Sequence, residues 1–385
     1  MNIAICVIGY NRLFSLKRLL CSLNNALYDT RVPLIISIDK SDTDEVEKYA
    51  DSFDWEFGPK RIIKHTENLG LRKHILQCGD LLEEFDALIV FEDDIEVSPG
   101  FFYYSKQCVE KYYNDPKIAG ISLYSFQVNY QNYLPFTPLK TESDVYLMKC
   151  AQSWGQIWMR EQWKAFLNWY KENNNEFQES PHLPTSICKW PKSSWLKYHT
   201  RYCIEQNKYF VYPYISLTTN YSDVGVHSNQ SSYIYQVPLL YGNKKIYNLE
   251  PTVYYDGFFE NENIHHLLKY NEDEICVDLY GEKRNREEKR YYLTTKHLNY
   301  KIVSSYGLCL RPIELNVIKG TKGQDIFLYD TLSKENNTFC PNNHNIYMYL
   351  FNLCNYLLET IKPNISFKQH VKNIIRVTIK RMTHI

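Results

Sequence analysis

Four short apolar runs, separated by segments of helical periodicity, constrain this chain more than any other feature. "IAICVIGY" is a continuous, largely β-branched run, the pattern of a strand buried on both faces of a parallel sheet. In the following "NRLFSLKRLLCSLNNAL", residues Leu13, Leu16, Leu19, Leu20 and Leu23 recur at helical spacing. "PLIISIDKSD" predicts a second strand ending in acids, and "DEVEKYADSF" opens a second helix. "KRIIKH" reads as a third strand, "RKHILQCGDLLEEF" as a helix and "DALIVF" as a fourth, fully apolar strand. Strand and helix in strict alternation predict an open α/β sheet. Such sheets take their ligands outside the carboxyl ends of the strands.

The fourth strand delivers Glu92, Asp93 and Asp94 in a row, just before a second apolar stretch, "IEVSPGFF". Three adjacent like charges repel, and acids are poor strand formers, so the folded state must stabilise them. A solvated turn is one answer; a bound cation is the other. Mg or Mn takes hard oxygen ligands, usually one or two carboxylates completed by substrate phosphates. It offsets charge on a leaving diphosphate as a Lewis acid. Asp39 ends the second strand, so both acidic groups are expected at the same edge of the sheet.

Composition removes several alternatives. With 44 basic and 44 acidic residues there is no basic footprint, which argues against nucleic acid as a partner. The 385 residues suffice for one catalytic domain plus an extension. The 34 tyrosines and 7 tryptophans can serve as sugar-stacking platforms or as core filler. Eleven cysteines without a CxxC pair argue against zinc ribbons and disulfide frameworks, and fit a reducing compartment. The first residues lack a signal-peptide pattern, and no run reaches 18 apolar residues. A cytoplasmic location is therefore expected, extending at most to the inner face of the cell membrane.

Several motifs, in order, resemble an inverting glycosyltransferase of the GT-A fold. They are "GYNR", "IISIDKSDTDE", "VFEDDIEVSPGFFYY", "SWGQIWMREQW", "WPKSSW" and "PYISLTTNYSDVGVHS". The likeness covers about the first 230 residues. It is to the N-acetylglucosaminyltransferase I family and to bacterial enzymes of the broad family 2 type. The resemblance implies a UDP-sugar donor, a Mn or Mg ion, and a hydroxyl acceptor on a glycan or lipid-linked glycan of a surface polysaccharide. It makes Asp94 the metal ligand, with Glu92 and Asp93 on the nucleotide-sugar. It places Asp39 on the uracil, Arg12 on the nucleotide, and Arg72 or Lys73 as a further nucleotide contact. These roles suit the side chains: Asp39 can accept from an imide N–H, and Arg12 has the fork for phosphate oxygens. A helix N-cap for Asp39 and a surface charge for Arg12 are the competing readings.

One position departs from that family. The tryptophan of "WPK…W" should be followed by an aspartate that acts as catalytic base, but Leu196 and Lys197 follow Trp195. Inverting transfer still needs a group to deprotonate the acceptor hydroxyl. Asp223 in "NYSDVGVH" ranks first, because its loop follows a strand; Glu161 and His199 are the other candidates. His227 in the same loop is either a metal or diphosphate contact or an ordinary polar residue, and Gly225 gives the loop freedom to act as a lid. Trp154, Trp158 and Trp195 form either a sugar-facing wall or core packing.

After "NEDEI" a second region is expected, giving a transferase domain over 1–270 and an α+β extension over 271–385. The extension ends in "SFKQHVKNIIRVTIKRMTHI", whose apolar residues share one helical face beside a stripe of Lys368, Lys372, Arg376 and Lys380. Such a helix lies on a membrane surface or docks on protein. Two other functional classes remain open: a sugar-binding protein of transferase ancestry without catalysis, which Leu196 keeps alive, and a nucleotidyltransferase. The second would carry a Gly-rich, basic loop after the first strand, which "GYNRLFSL" is not.

Overall fold

The computed structural model describes residues 1–175, 177, 179–221, 223, 233–284, 289–338 and 344–352. Met1–Asn336 is one compact unit; Asn337–Ile385 is a second, in which the described element is a helix over His344–Leu350. The basic carboxyl-terminal segment read above lies outside the described residues.

The first unit opens as expected. β1 (Ile3–Gly9) leads to α1 (Leu13–Asn24), β2 (Leu34–Ile38), α2 (Glu45–Ser52), β3 (Lys60–Lys64), α3 (Gly70–Cys78) and β4 (Ala87–Glu92). These four strands are parallel in the order β4-β1-β2-β3. β1 and β2 are buried throughout, whereas β3 is half-exposed at the sheet edge, as its lysines and arginine require. The chain leaves β1 toward β2 on one side and returns to β4 on the other. That reversal makes the carboxyl ends of β1 and β4 a topological switch point, where open α/β sheets bind ligands.

The sheet then grows with antiparallel members. After β5 (Ile95–Val97), α4 (Phe101–Tyr112) and β6 (Ile118–Ser122) comes a small hairpin, β7 (Val128–Asn129) with β8 (Leu134–Pro135). β9 (Val145–Met148), β10 (Gln156–Met159), α5 (Arg160–Asn173), α6 (Thr185–Cys188), α7 (Leu196–Glu205) and β11 (Tyr209–Pro213) follow. β12 (Thr218–Asn220) and β13 (Tyr254–Tyr255) come next. The finished sheet has nine strands in the order β13-β9-β11-β6-β10-β4-β1-β2-β3. Beyond it, α8 (Ile264–Leu267), β14 (Ile275–Asp278), β15 (Tyr291–Thr294), β16 (Tyr300–Tyr306), α9 (Ile313–Ile318) and β17 (Ile326–Lys334) supply a separate four-stranded sheet, ordered β14-β15-β17-β16.

Side-chain alternation divides the core between the two faces. Ile3, Ile5 and Val7 of β1 and Ala87, Ile89 and Phe91 of β4 pack with Leu16, Leu19, Leu20 and Leu23 of α1 and with Phe101, Phe102 and Cys108 of α4. Each such fully buried aliphatic or aromatic side chain contributes about 1.5–3 kcal/mol of transfer free energy. On the other face, Trp158 of β10 stacks on Trp163 of α5, with ring centroids 4.0 Å apart. Trp195 stands edge-on to Trp158, and His199 lies over Phe166 at 4.2 Å.

Candidate functional site

Everything of chemical interest at the switch point hangs from strand ends. Arg12 follows β1, Asp39 follows β2, and Glu92 to Asp94 close β4. The acid triplet does not sit in a solvated turn: Asp93 is 4% exposed and its partners are built into the fold. Arg12 reaches 81 residues along the chain to form a two-pronged contact with Asp93, from Nε to Oδ2 at 3.3 Å and from Nη2 to Oδ1. Its remaining Nη1 donates to Asp94 Oδ2 at 3.0 Å. One guanidinium thus grips two carboxylates, the geometry that suits arginine and not lysine. Among the described residues Asp94 Oδ1 is buried without a hydrogen-bond partner.

The electrostatics follow from this crowding. Burial, with Asp94 and Asp93 adding repulsion, pushes the Glu92 carboxyl up to about 8 against the pull of Arg12. Burial raises Asp93 to about 6, with Arg12 opposing and Asp94 and Asp223 adding to the rise. Burial works against the Arg12 charge, but the flanking carboxylates outweigh it and hold the guanidinium firmly protonated. The site is short of positive charge, and one acid oxygen lacks a donor. A divalent cation fits that deficit. Among the described residues no three His, Cys, Asp or Glu side chains converge as a complete ligand set. A cation here would therefore draw its other ligands from phosphate oxygens and water, the usual arrangement for Mg at nucleotide sites.

β5 and β12 close the site from the far end of the sequence. Thr218 to Asn220 pair antiparallel with Ile95 to Val97, and the Tyr221 N–H donates to the Asp94 carbonyl at 2.9 Å. This pairing carries the chain to Asp223, whose Oδ2 accepts from Ser15 Oγ at 2.7 Å and from Arg18 Nη2. The Arg18 guanidinium also lies over the Tyr221 ring, 3.8 Å from its centroid, a contact of about 0.5–2 kcal/mol. Tyr221 in turn donates to Glu96 at 2.7 Å. Sequence reasoning had passed over Arg18 and Ser15. The available signal was a pair of polar residues one helical turn apart on a face of α1 otherwise rich in leucine.

Asp39 has a structural task. Its Oδ1 accepts from the backbone of Lys40 at 2.9 Å and of Leu69 at 2.8 Å, and its Oδ2 from Gly70 at 3.0 Å. It thereby ties the start of α3 to the end of β2, the capping role that competed with uracil recognition. Gly70 adopts φ +72 there, a conformation that disfavours any side chain. A carboxylate has about four lone-pair sites, and three are used, so one site on Oδ2 is left for an incoming N–H.

The remaining candidates separate clearly. Arg72, on the first turn of α3, lies with its guanidinium 4.8 Å from the Tyr198 ring centre, and its Nε is buried without a partner among the described residues. Lys73 points outward to Glu67 at 3.3 Å. Trp154 is half-buried against Tyr124 and Tyr235, next to Ser153, which hydrogen-bonds Glu92. Trp158 and Trp195 are corrected to core residues: they are 0% and 2% exposed and present no free ring face. His199 is likewise excluded as a base, since burial among aromatic rings pushes its imidazole down to about 3. Glu161 is placed at the wrong edge. Because β10 runs antiparallel to β4, with Gln156 opposite Val90 and Met159 opposite Ala87, the start of α5 lies beyond the amino-terminal end of β4. At about 3.3 Å per residue that is roughly 15 Å or more from the acid triplet. His227 and Gly225 lie outside the described residues.

The chain matches no known protein-family model, and no curated protein matches it by sequence. Among solved structures it is similar to TarS 1-349 of S. aureus in complex with UDP-GlcNAc, at 15% identity and TM-score 0.38 over 59% of this chain and 60% of that one. The same TarS fragment in complex with UDP gives 14% and 0.34 over 55% and 57%. The mannosyltransferase PcManGT of Pyrobaculum calidifontis, in complex with GDP-Man and Mn2+, gives 13% and 0.33 over 56% and 57%. The chain spans less than two thirds of the length of each of these proteins. Likeness of that size identifies neither a family nor a reaction.

Proposed function

We propose that this chain is a GT-A glycosyltransferase that moves a sugar, with inversion, from a UDP-sugar to a hydroxyl of a glycan or lipid-linked glycan in surface polysaccharide synthesis. One observation carries the reading: Arg12, Asp39 and the Glu92–Asp94 triplet converge at the switch point of an open α/β sheet, and a second segment bearing Asp223 folds back over them.

In this reading Asp94 would hold a Mn or Mg ion through Oδ1, the buried oxygen that has no partner among the described residues. When bound, the ion supplies Lewis-acid stabilisation of the leaving diphosphate. Arg12 holds Asp93 and Asp94 in a fixed orientation and adds positive charge where the phosphates lie. Asp39 offers its unused lone pair to the uracil imide. Arg72 lines the nucleotide side, and Trp154 with Glu92 faces the sugar. Asp223 accepts the proton of the acceptor hydroxyl while that oxygen bonds to the anomeric carbon and the bond to the diphosphate breaks, releasing UDP. Ser15 and Arg18 position its carboxylate.

The test is UDP release from a panel of UDP-sugars with added Mn, with and without EDTA. Slow, metal-dependent donor hydrolysis is expected from at least one hexose or N-acetylhexosamine donor. UDP binding with no release from any donor would favour the non-catalytic sugar-binding reading. Absence of UDP binding would remove the proposal altogether.

A further inference from the structure

Asp, Glu, Lys and Arg make up 23% of the chain, yet residues 118–139 and 233–243 contain none of them. Both segments are rich in Tyr, Asn and Gln instead. The fold brings the two together. Tyr124, just after β6, donates from its hydroxyl to the Tyr235 carbonyl at 2.9 Å. The Tyr235 ring lies 4.9 Å from the ring of Trp154, and its side chain hydrogen-bonds that of Tyr133.

Trp154 ties this arrangement to the acid triplet. Its carbonyl accepts from Thr218 Oγ1 of β12 at 2.6 Å, and the preceding Ser153 bonds Glu92. Trp154, Tyr235 and Tyr133 are thus linked one to the next, beginning at the carboxyl end of β4. The other end of the row is set by the β7–β8 hairpin. There Gln131 Nε2 donates to the Gly257 carbonyl at 2.6 Å and Asn132 Nδ2 to the Tyr280 carbonyl at 3.2 Å. Gly257 follows β13, which runs parallel to β9 and so opposite to β11, β6 and β4. The hairpin is therefore anchored at the edge of the sheet away from the triplet, and the row leads across the sheet toward it.

The outermost ring is held, and it is open. Tyr133 is 53% exposed, while Trp154 and Tyr235 are half-buried, unlike the fully enclosed Trp158 and Trp195. The Tyr133 N–H donates to the Asn129 carbonyl at 2.8 Å, and the next N–H, of Leu134, to Asn132 Oδ1 at 3.0 Å. Its φ of 60 is a conformation that residues other than Gly, Asn and Asp seldom adopt. Core packing does not explain a tyrosine at that position, since half its surface faces solvent. Tyr and Trp offer an apolar ring face with a hydrogen-bonding edge. A pyranose offers the complement, C–H groups on one face and hydroxyls around the rim. An anionic polymer finds no cation in either segment, so the matching partner is neutral.

We propose that Trp154, Tyr235 and Tyr133 form an extended acceptor surface, so that the acceptor is a neutral glycan of several sugar units. This rests on the transferase reading above and narrows its acceptor. The experiment is isothermal titration of the full chain with monosaccharides and tetrasaccharides of glucose, galactose and N-acetylglucosamine. Tetragalacturonate serves as the anionic counterpart, and UDP is titrated in parallel. The variants are Tyr133→Asn, which removes the ring and tolerates the positive φ, and Tyr133→Phe, which keeps the ring and removes the hydroxyl; thermal melts check folding. At least one neutral tetramer should bind wild type about tenfold or more tighter than its monosaccharide. Tyr133→Asn should lose that gain and Tyr133→Phe keep most of it, with UDP affinity unchanged in both. The proposal is overturned by no binding of any neutral tetramer, by tetramers no tighter than monosaccharides, or by preference for tetragalacturonate. Wild-type binding in Tyr133→Asn, or equal loss in both variants, overturns it as well. UDP binding without glycan binding is failure of this surface alone, whereas glycan binding without UDP binding is failure of the transferase reading alone.

Discussion

The two carboxylate clusters at opposite edges of the sheet solve one problem in different ways. At the switch point three acids are consecutive on one strand end, and a single guanidinium from the neighbouring strand end spans two of them. At the other edge Asp256 and Glu260 share one loop and Asp278 ends β14, and the cationic partners are lysines, Lys283 on Asp256 and Lys296 on Asp278 at 3.3 Å. A planar fork fixes two acids at once and leaves one defined oxygen over. Point charges on flexible stems pair singly. Charge alone would treat the clusters as equivalents; donor geometry separates them.

The contrast is broken most directly at the switch point. Asp223→Asn should keep UDP affinity yet lose transfer by about 10²–10⁴, the usual size of general-base removal, measured by steady-state kinetics with UDP titration alongside. Unchanged transfer would leave Asp223 a positioning contact for α1. Asp94→Ala should lower metal-dependent turnover about 10²-fold or more and abolish the response to added Mn, while the melting curve stays close to wild type.

Paired substitutions sharpen the comparison. Arg12→Met and Lys283→Met each leave a carboxylate without its partner, and each should cost about 1–3 kcal/mol in urea denaturation. Only Arg12→Met should also weaken UDP binding. If both variants weaken it equally, the two clusters are coupled and the division drawn above is wrong.

His199 belongs to neither cluster and sets an acid baseline. Burial holds its folded value near 3, and both ring nitrogens lack partners among the described residues, against about 6.5 in an unfolded chain. Between those values the unfolded chain binds a proton that the folded chain does not, so stability falls as pH drops below about 6.5. The loss should reach about 2 kcal/mol by pH 5. His199→Phe should remove that part of the acid slope in denaturation series, leaving the carboxylate contribution. The smallest effect belongs to Glu161→Gln, which should leave turnover within about twofold, since α5 begins beyond the far end of β4; a large loss would contradict the register of β10.

Much of the parallel half of the sheet was legible because its signals are local. An uninterrupted apolar run gives a buried strand whatever its neighbours, and residues directly after it land at the strand end; so the positions of Arg12, Asp39 and Glu92 to Asp94 at strand ends could be read. Glu161 did not, because nothing in "SWGQIWMREQW" states that its strand runs antiparallel, and direction alone moves the residue from one edge to the other. Trp195 and His199 failed for a related reason: periodicity shows that a helix has an inner face, not what packs against it. The Arg18–Asp223 pair joins residues 205 positions apart; a polar pair on α1 is visible in the sequence, but not the partner it will meet.

The zipper between β5 and β12 bears on the order in which the acidic strand end is enclosed. Arg18 and Asp223 stand 205 residues apart, and β5 finds its partner only in Thr218 to Asn220. During synthesis the first four strands can assemble with their acids in place while the returning segment has yet to emerge. A chain arrested before Thr218 would present the unpaired backbone of β5 beside the acid triplet, an open edge that recruits foreign strands. Loop closure over such a span is slow in comparison with local pairing. The pairing of β5 with β12 therefore comes late in the life of the nascent polypeptide, with β13 of the main sheet still to follow.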